Sequence, residues 1–238
     1  MEKTQVVEEL NITFYDKSKF NVFRLDGHKF SNLTKKNFEK PFDTNFNIFM
    51  KECAKFIFEK YNFQLCFVGS DEISLVYYPI TEDKPDSQLP FNGKDYKLLS
   101  LLSSCISSQF SILSGLYNEF DCRHFYYNTL EQVKEYLISR RKYTVKNSKM
   151  MLAQHNFFKN KLNKISSNEA IKMLKNELNI DYYEVVEESI RRGIMIYKKK
   201  EKMKKIINKK GEDVEIEFER KCPIFEDSIE IAIENNTA

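Results

Sequence analysis

The chain has 238 residues, of which 42% are hydrophobic and 31% charged, an ordinary composition for a globular protein that can bury a substantial core. Its 38 Lys and Arg residues nearly balance 35 Asp and Glu residues, so the net charge does not by itself indicate a nucleic-acid-binding protein. Five widely spaced cysteines without a CxxC pair argue against a disulfide framework and a zinc site, and no apolar run reaches membrane-spanning length.

The first ten residues are acidic and contain neither an apolar signal core nor an arginine-rich transit pattern. Cysteines in apolar surroundings are typical of a reducing compartment. We therefore predict a soluble cytoplasmic protein without membrane contact, and a mitochondrial location stays open. No internal repeat, low-complexity segment or linker divides the sequence, which predicts one compact unit over residues 1–238.

The first half of the chain is predicted to run strand, helix, strand, strand. Residues 20–25 form an apolar strand that ends at Asp26 and Gly27. Pro41 interrupts the polar stretch that follows, and either Asp43 or Thr44 can cap a helix whose apolar residues recur at helical spacing from residue 46 to residue 57.

Residues 65–78 predict a hairpin around which the first half is organised. Two apolar runs rich in β-branched and aromatic residues flank the polar break at residues 69–72. The turn places Asp71 and Glu72 at the tip of the hairpin. Gly, Ser and Asp also suit a turn without any function, so the hairpin alone leaves both interpretations open.

The second half of the chain alternates helices and short strands. Residues 81–93 read as a loop because they contain prolines and polar residues. The predicted elements are a helix over 95–116, a short strand over 124–127, a helix capped at Asn128 or Thr129 that runs through Arg140, a lysine-rich and mostly helical region over 140–174 with a last helix capped near Ser167 and Asn168, and strands over 194–197 and 214–218.

Two basic groups in this half carry alternative interpretations. The first comprises Arg140, Arg141, Lys142, Lys146 and Lys149, which form either a solvated helix surface or an RNA-binding face. The second is the lysine cluster over residues 198–210, which either discourages edge-to-edge aggregation of a hairpin or contacts phosphates.

Asp26 and Asp71 are predicted to approach each other on neighbouring strands of one sheet. Like charges at short range raise each other's pKa unless a cation lies between them. Hard oxygen ligands with few histidines or cysteines nearby favour Mg²⁺ over zinc, and Mg²⁺ takes its remaining ligands from water and nucleotide phosphates. Two such ions would serve an in-line nucleotidyl transfer, and Gly27 would let the backbone approach an ion or phosphate.

The sequence lacks the motifs that other kinds of catalytic or nucleotide-binding site require. The three histidines, His28, His124 and His155, show no HExxH pattern or other metal-ligand spacing, and we interpret each as structural. The sequence contains no GxSxG, Walker A or GxGxxG motif, and six glycines in all argue against a glycine-rich phosphate-binding loop.

Several segments, in this order and spacing, resemble the histidine-tRNA guanylyltransferase family and its 3′-to-5′ polymerase-like relatives. The resemblance is carried by residues 24–30, 38–43 and 70–74, continues through 120–123 and 136–140, and reappears weakly at 179–182 and 191–193. The resemblance spans residues 20–197 and is strongest in the first half. Their combination is specific, although no single segment would be.

The resemblance implies an α/β (α+β) fold: a palm-like βαββαβ antiparallel sheet with helices on one face, plus a helical and β-hairpin extension. The palm-like catalytic core would cover residues 20–130 and the extension residues 131–238. Family members add nucleotides to the 5′ end of tRNA or tRNA-like RNA. They activate the 5′ phosphate with ATP or GTP and then let the 3′ hydroxyl of an incoming nucleoside triphosphate attack it, with two Mg²⁺ ions, and a tetrameric homo-oligomer is their habit.

The resemblance also implies roles for individual residues. Asp26 and Asp71 would bind metal and act in catalysis, with Gly27 lending its carbonyl to the metal and Glu72 as the adjacent catalytic acid. The remaining expected contacts are to the nucleotide, from His28, Lys29, Phe30, Ser31, Lys40, Asp43 and Ser70, and to RNA or phosphate, from Lys97, Arg123, Arg140, Asn147 and Arg192.

Three departures from the family pattern bear on the choice of activity. The guanylyltransferases carry a His-Ile-Asn-Asn signature where residues 145–148 read Val-Lys-Asn-Ser, so only Asn147 is kept. A basic run at the start of the helix after Asp95 is reduced to Lys97, and Cys122 replaces a glycine. These departures favour the polymerase-like branch, which repairs or edits 5′ ends by templated addition. The alternatives are a dedicated tRNA-His guanylyltransferase, a non-catalytic tRNA-binding homologue and, more remotely, a nucleotide cyclase with the same palm.

Overall fold

The computed structural model describes residues 14–80, 90–209 and 212–237, with the backbone alone for 206–209, 212–217 and 236–237. The acidic amino-terminal segment, most of the predicted loop over 81–93 and Lys210 lie outside the described residues. None of the described helices is both long enough and apolar enough to cross a membrane.

The described elements alternate strands with helices along the chain, and they comprise β1 (Phe20–Gly27), α1 (Phe30–Asn37), α2 (Thr44–Lys60), β2 (Leu65–Gly69), β3 (Glu72–Tyr77), α3 (Asp95–Ser114), β4 (Phe120–Tyr127), α4 (Leu130–Asn156), α5 (Ser167–Leu178), α6 (Tyr182–Val185), α7 (Glu188–Arg192), β5 (Ile194–Lys209), β6 (Glu212–Glu226) and α8 (Ile229–Thr237). Short 3₁₀ turns lie at Pro90–Gly93 and Lys159–Leu162.

Six strands form one antiparallel sheet in the order β4-β1-β3-β2-β5-β6. The first four strands and their helices follow the predicted βαββαβ order, so the fold class is confirmed. Strand β5 pairs with β2 only through Ile194–Tyr197, and the rest of β5 pairs with β6 alone as a long two-stranded ribbon. The lysine-rich residues of the cluster at 198–209 therefore belong to one strand of a hairpin.

The two faces of the sheet are covered by different parts of the chain. Phe23 and Leu25 of β1 and Ile73 and Leu75 of β3 are fully buried in one core against α2 and α3. The alternate residues of the same strands face α4 and α8, where Val22 joins a second core. Helices of the βαββαβ unit thus lie on one face, as predicted, and the extension covers the other face.

A third, smaller core holds the extension together. It joins Leu152 near the end of α4 to Ala170 and Leu174 of α5 and to Tyr182 of α6. Helices α4 and α5 both begin at the kind of cap that the sequence suggests. Thr129 closes a capping box on α4, and Ser166, one residue before the predicted position, closes one on α5.

Several element boundaries differ from the prediction. Helix α1 was not predicted, because its residues are polar and only Phe30 is buried to anchor it. Strand β4 begins at Phe120 rather than residue 124, since it pairs with β1 along its whole length. Helix α4 continues through Arg140 to Asn156 without a break, and Glu72 is the first residue of β3 rather than part of the turn tip.

Candidate active site

A cavity of about 630 Å³ opens where β1, the β2–β3 turn, the segment around α1 and helix α4 meet. We call it the carboxylate cavity. Its lining residues are Arg24, Asp26, Gly27, Lys29, Phe30, Ser31, Thr34, Phe38, Glu39, Lys40, Pro41, Phe42, Asp43, Phe46, Asn47, Gly69, Ser70, Asp71, Glu72, Arg140, Tyr143, Thr144, Asn147, Ser148, Met151 and Ile190. The lining combines charged residues from the strand ends, the α1 segment and α4 with aromatic and aliphatic residues such as Phe38, Phe42 and Ile190.

The strand pairing brings Asp26 and Asp71 together. Asp26 is directly opposite Glu72, and the amide of Gly27 donates a hydrogen bond of 3.1 Å to the carbonyl of Asp71. Ser70 adopts a left-handed conformation with φ of 57°, which closes the two-residue turn and turns the chain back at Asp71. Both Asp26 and Asp71 line the carboxylate cavity.

The electrostatics of Asp71 indicate a place for a cation. Burial raises the pKa of Asp71 above its ordinary value, and the carboxylates of Asp26 and Glu72 raise it further. Within the described part of the chain, no cluster of three or more His, Cys, Asp and Glu side chains suits a metal. A donor set of two carboxylates and backbone oxygens nevertheless fits Mg²⁺, which keeps much of its coordination for water and phosphate.

Gly27 is required by close packing. A Cβ at this position would lie 2.4 Å from the ring of Phe30, which is buried against Phe46, Phe110 and Phe120. The ring of Phe30 is buried and packs against the backbone at Gly27, next to Asp26. It is therefore not exposed for contact with a ligand. Lys29 follows in a left-handed conformation with φ of 55° and is exposed at the start of α1.

Glu72 is committed to a bidentate ion pair with Arg140 of α4. The Nε of Arg140 donates to Oε1 at 2.7 Å and its Nη2 donates to Oε2, and both side chains are largely buried. Ser74 lies 3.4 Å from the same carboxylate and 2.7 Å from the hydroxyl of Tyr136. Because its charge is already balanced, Glu72 joins the strand to α4, and Asp26 and Asp71 remain for a ligand.

Lys40 and Asp43 differ in how freely they face the cavity. Lys40 donates a 2.8 Å hydrogen bond to Thr34; partial burial lowers its pKa, while Asp43 and Asp71 act in the opposite direction. Asp43 caps α2, with Oδ1 accepting from the amide of Phe46 and Oδ2 from that of Glu39, both at 2.9 Å. Its two oxygens are thus engaged by the backbone, and Asp43 shapes the wall.

The structure brings most of the predicted site residues to one cavity. Four predicted residues do not line it, namely His28, Lys97, Arg123 and Arg192. Lys97 of α3 lies over the ring of Phe91 in the preceding 3₁₀ turn, and Arg123 forms an exposed pair with Asp121 on β4. Arg192 is paired with Glu188 and lies in a separate cleft on the other side of α4.

The cavity residues that the sequence analysis did not name as site residues include Arg24 and Tyr143. Arg24 lies two positions before Asp26 on the same face of β1, so the period-two alternation of a strand was the signal that could have found it. Tyr143 lies under the guanidinium of Arg140, 4.7 Å from the ring centre to Cζ. The sequence does not show that Tyr143 faces the cavity, because this depends on how α4 is rotated about its axis when it packs on the sheet.

Comparison with known families gives a match to the model described as Thg1, tRNAHis guanylyltransferase, over residues 2–128, which is more than half of the chain. This chain belongs to that family. An uncharacterized protein of Acanthamoeba polyphaga mimivirus is 30% identical over 184 residues, 66% of this chain and 63% of its own length. The match thus spans less than two thirds of that relative.

Solved structures of the Thg1 family share this fold. A bacterial Thg1-like protein in complex with ATP superposes with a TM-score of 0.74 at 26% identity, over 80% of this chain and 84% of its own. A bacterial Thg1-like protein in complex with GTP has a TM-score of 0.71 at 22% identity, over 97% and 92% of the two chains. The Saccharomyces cerevisiae tRNA(His) guanylyltransferase has a TM-score of 0.68 at 24% identity, over 85% and 90%. The last two bear on the fold alone.

Proposed function

We propose that this Thg1-family chain is a nucleotidyltransferase that adds nucleotides in the 3′-to-5′ direction to the 5′ end of tRNA or tRNA-like RNA, directed by a template. The single observation that carries the proposal is that Asp26 and Asp71, from adjacent strand ends, line one cavity together with Gly27 and Ser70. Nucleoside triphosphates as substrates are supported by the related bacterial structure that contains ATP.

Within this proposal, Mg²⁺ would be held by Asp26, Asp71 and the carbonyl of Gly27. When bound, it would neutralise the triphosphate and favour the attack of a hydroxyl on phosphorus. The chain's own residues would do the rest. Lys29 and Lys40 would attract the phosphates from the α1 side, and the apolar wall, including Phe42, would shelter the base and exclude water.

Arg140 and Glu72 would act as positioning residues in this scheme. Their ion pair fixes the first residue of β3 against α4, which holds the neighbouring Asp71 at the turn. Precise placement of a reacting group is worth several kcal/mol to a transfer reaction, and small displacements forfeit it. We therefore assign Glu72 to supporting the two carboxylates and not to binding metal.

The signature region of α4 supports templated addition over dedicated guanosine addition. Asn147 and Ser148 line the carboxylate cavity, whereas Val145 and Lys146 lie on the other side of the helix. Ser148 donates to or accepts from the hydroxyl of Tyr182 at 2.7 Å, so it faces the extension as much as the cavity. The asparagine-rich set of the guanylyltransferases is thus reduced here to Asn147.

The family name favours a second candidate, the dedicated addition of one guanosine to histidine tRNA. One assay separates the two. A 5′-truncated tRNA is incubated with the protein, ATP, Mg²⁺ and all four nucleoside triphosphates, and the products are sequenced. Extension that follows the opposite strand supports templated repair. Guanosine whatever the template supports the second candidate, and binding without incorporation supports a non-catalytic homologue and refutes both.

A further inference from the structure

A second concave site lies on the opposite side of α4 from the carboxylate cavity. This cleft of about 430 Å³, which we call the basic cleft, lies between α4, the first turn of α5, the end of α7 and the start of α8. Its lining residues are Ile138, Arg141, Lys142, Val145, Lys146, Lys149, Ser167, Asn168, Arg192, Ile229 and Glu230. Five cations and one carboxylate therefore share a small concave surface.

Arg141 has buried hydrogen-bond donors that a ligand in the cleft could use. Only 8% of its surface is exposed, and its Nε and Nη2 are buried and make no hydrogen bond within the described residues. Burial and the neighbouring Arg192 lower its pKa, whereas Glu230, Asp227 and Glu188 act in the opposite direction. A buried guanidinium with unused donors is costly, and an anion entering the cleft beside it would relieve that cost.

The lining around Arg141 adds further hydrogen-bond donors and contains one acid, while Asp227 and Glu188 act on Arg141 from outside the lining. Lys149 is equally buried and donates a 2.8 Å hydrogen bond to Asn168. Lys142 and Lys146 lie one helical turn apart at the mouth. Glu230 is the single acid of the lining, and Ser228 donates a 3.1 Å hydrogen bond to it.

The amino-terminal turn of α5 completes the site. Ser167 and Asn168 are its first two residues, and the amides of a first helical turn have no partner within the helix. The capping box of Ser166 and Glu169 occupies the other donors of that turn. The positive end of the helix dipole therefore faces the same cleft as the four α4 cations, which favours a phosphate.

We propose that the basic cleft binds a backbone phosphate of the RNA substrate, outside the nucleotide site. This inference rests on the proposed function, because it takes RNA as the substrate. Arg140 and Arg141 are neighbours in sequence but serve the two sides of α4, so an RNA strand crossing that helix would reach the carboxylate cavity with its end while one phosphate is held in the cleft. A free nucleotide would occupy the carboxylate cavity alone, so the basic cleft would not contribute to its affinity.

The test measures tRNA affinity against salt for the full chain. The principal variant, Lys142→Gln with Lys146→Gln, removes two cations at the cleft mouth and leaves the core untouched. The matched control, Lys159→Gln with Lys172→Gln, removes two lysines that line neither site. Arg141→Gln is a third variant. Removal of one phosphate contact should reduce the slope of log Kd against log[KCl] by about 0.9. If variant and wild type bind equally at about 1 M KCl, the variant should then bind about tenfold more weakly than the wild type at about 0.1 M KCl.

We expect the principal variant and Arg141→Gln to bind tRNA more weakly by that factor while their Kd for GTP stays at the wild-type value. Unchanged tRNA affinity and slope in the principal variant, or an equal reduction in the control, would overturn the inference. Inorganic phosphate is a second probe: it should raise the melting temperature of the wild type and the control more than that of Arg141→Gln, and equal shifts would also overturn the inference.

The inference and the proposed function fail in distinguishable ways. A wild-type chain that adds no nucleotide, but whose tRNA binding weakens only in the cleft variants, keeps the phosphate site and refutes the enzyme. A wild-type chain that extends truncated tRNA, with cleft variants that bind RNA as tightly as the control, keeps the enzyme and refutes the site. Failure to bind RNA at all overturns the inference.

Discussion

The two faces of the palm-like sheet are built from alternate residues of the same strands, yet they do different work. Toward α2 and α3, Phe23 and Ile73 are fully buried in an apolar core. Toward α4, Arg24 and Glu72 of the same two strands carry charge into a cavity. The α4 side also has an apolar core around Val22, so the polar groups whose burial costs stability are confined to the cavity end of that face.

The largest effect should come from removing a carboxylate on the α4 side. Asp71→Ala should slow nucleotide addition by about a thousandfold or more, since a bound metal supplies several kcal/mol of charge stabilisation. The melting temperature should stay the same or rise, because the substitution removes a largely buried carboxylate whose charge is disfavoured. Single-turnover rates on truncated tRNA and thermal unfolding measure the two effects.

Asp121→Ala is the matched control for that prediction. Asp121 pairs in register with Asp26 but is exposed on β4 and does not line the cavity. It should keep nearly the wild-type rate. Equal reductions in both variants would mean that negative charge at this edge matters and that the position of Asp71 does not.

Adjacent residues of β1 test the contrast between the faces directly. Phe23→Ala should lower the free energy of unfolding by about 3–5 kcal/mol, the usual cost of emptying a buried aromatic site. Arg24→Ala, one residue later on the cavity side, should change it by less than about 1 kcal/mol and slow nucleotide addition instead. Denaturant titrations beside activity assays measure both, and a large drop in stability in Arg24→Ala would contradict the assignment of the faces.

Breaking the Arg140–Glu72 pair should lower the free energy of unfolding by less than Phe23→Ala does, and the effects of the two partners should be coupled. Arg140→Gln leaves Glu72 buried without its partner and should lower the unfolding free energy by about 2–3 kcal/mol. In a double-mutant cycle with Glu72→Gln, the coupling energy should exceed about 1 kcal/mol. The exposed pair of Arg192 and Glu188 is the reference, with a coupling below about 0.5 kcal/mol. Equal coupling in both pairs would refute the positioning role.

The smallest expected effect is a pH dependence at the edge of the apolar face. Burial lowers the pKa of His124, which stacks on Phe23 with ring centres 4.7 Å apart and pairs with Asn21 at 2.9 Å. The unfolded chain therefore takes up the proton first, so stability contributed by the neutral ring is present above the ordinary histidine pKa and declines as the pH falls toward the lowered value.

Replacing His124 by Gln should flatten that dependence. Urea unfolding of the two proteins at about pH 7.5 and 5.5, on either side of the ordinary histidine pKa, measures it, and the drop between the two pH values should be smaller in His124→Gln. A drop of the same size in both proteins would assign the pH dependence to other groups.

Local sequence patterns were enough to predict the hairpin over residues 65–78 and the position of Asp71 in its turn. The apolar runs around residues 69–72, the strand ending at Asp26 and the cap at Asp43 all depend on neighbours in sequence, and each was found. The partner of Glu72 was out of reach, because Arg140 lies 68 residues away and its direction depends on the packing of α4.

The division of the basic residues of α4 could not be predicted for the same reason. Successive residues of a helix point about 100° apart, so Arg140 and Arg141 face different surroundings once the helix is docked. The sequence pattern suggested one face. The structure instead distributes these residues between the carboxylate cavity and the basic cleft, a consequence of how α4 rests between the sheet and the α5–α7 segment.

The most direct test of the metal–nucleotide site is a crystal structure with Mn²⁺ in place of Mg²⁺ and a non-hydrolysable GTP analogue. The account predicts an anomalous manganese peak about 2.0–2.3 Å from carboxylate oxygens of both Asp26 and Asp71, next to the triphosphate. A peak elsewhere, or an analogue bound with both carboxylates turned away from its phosphates, would contradict it.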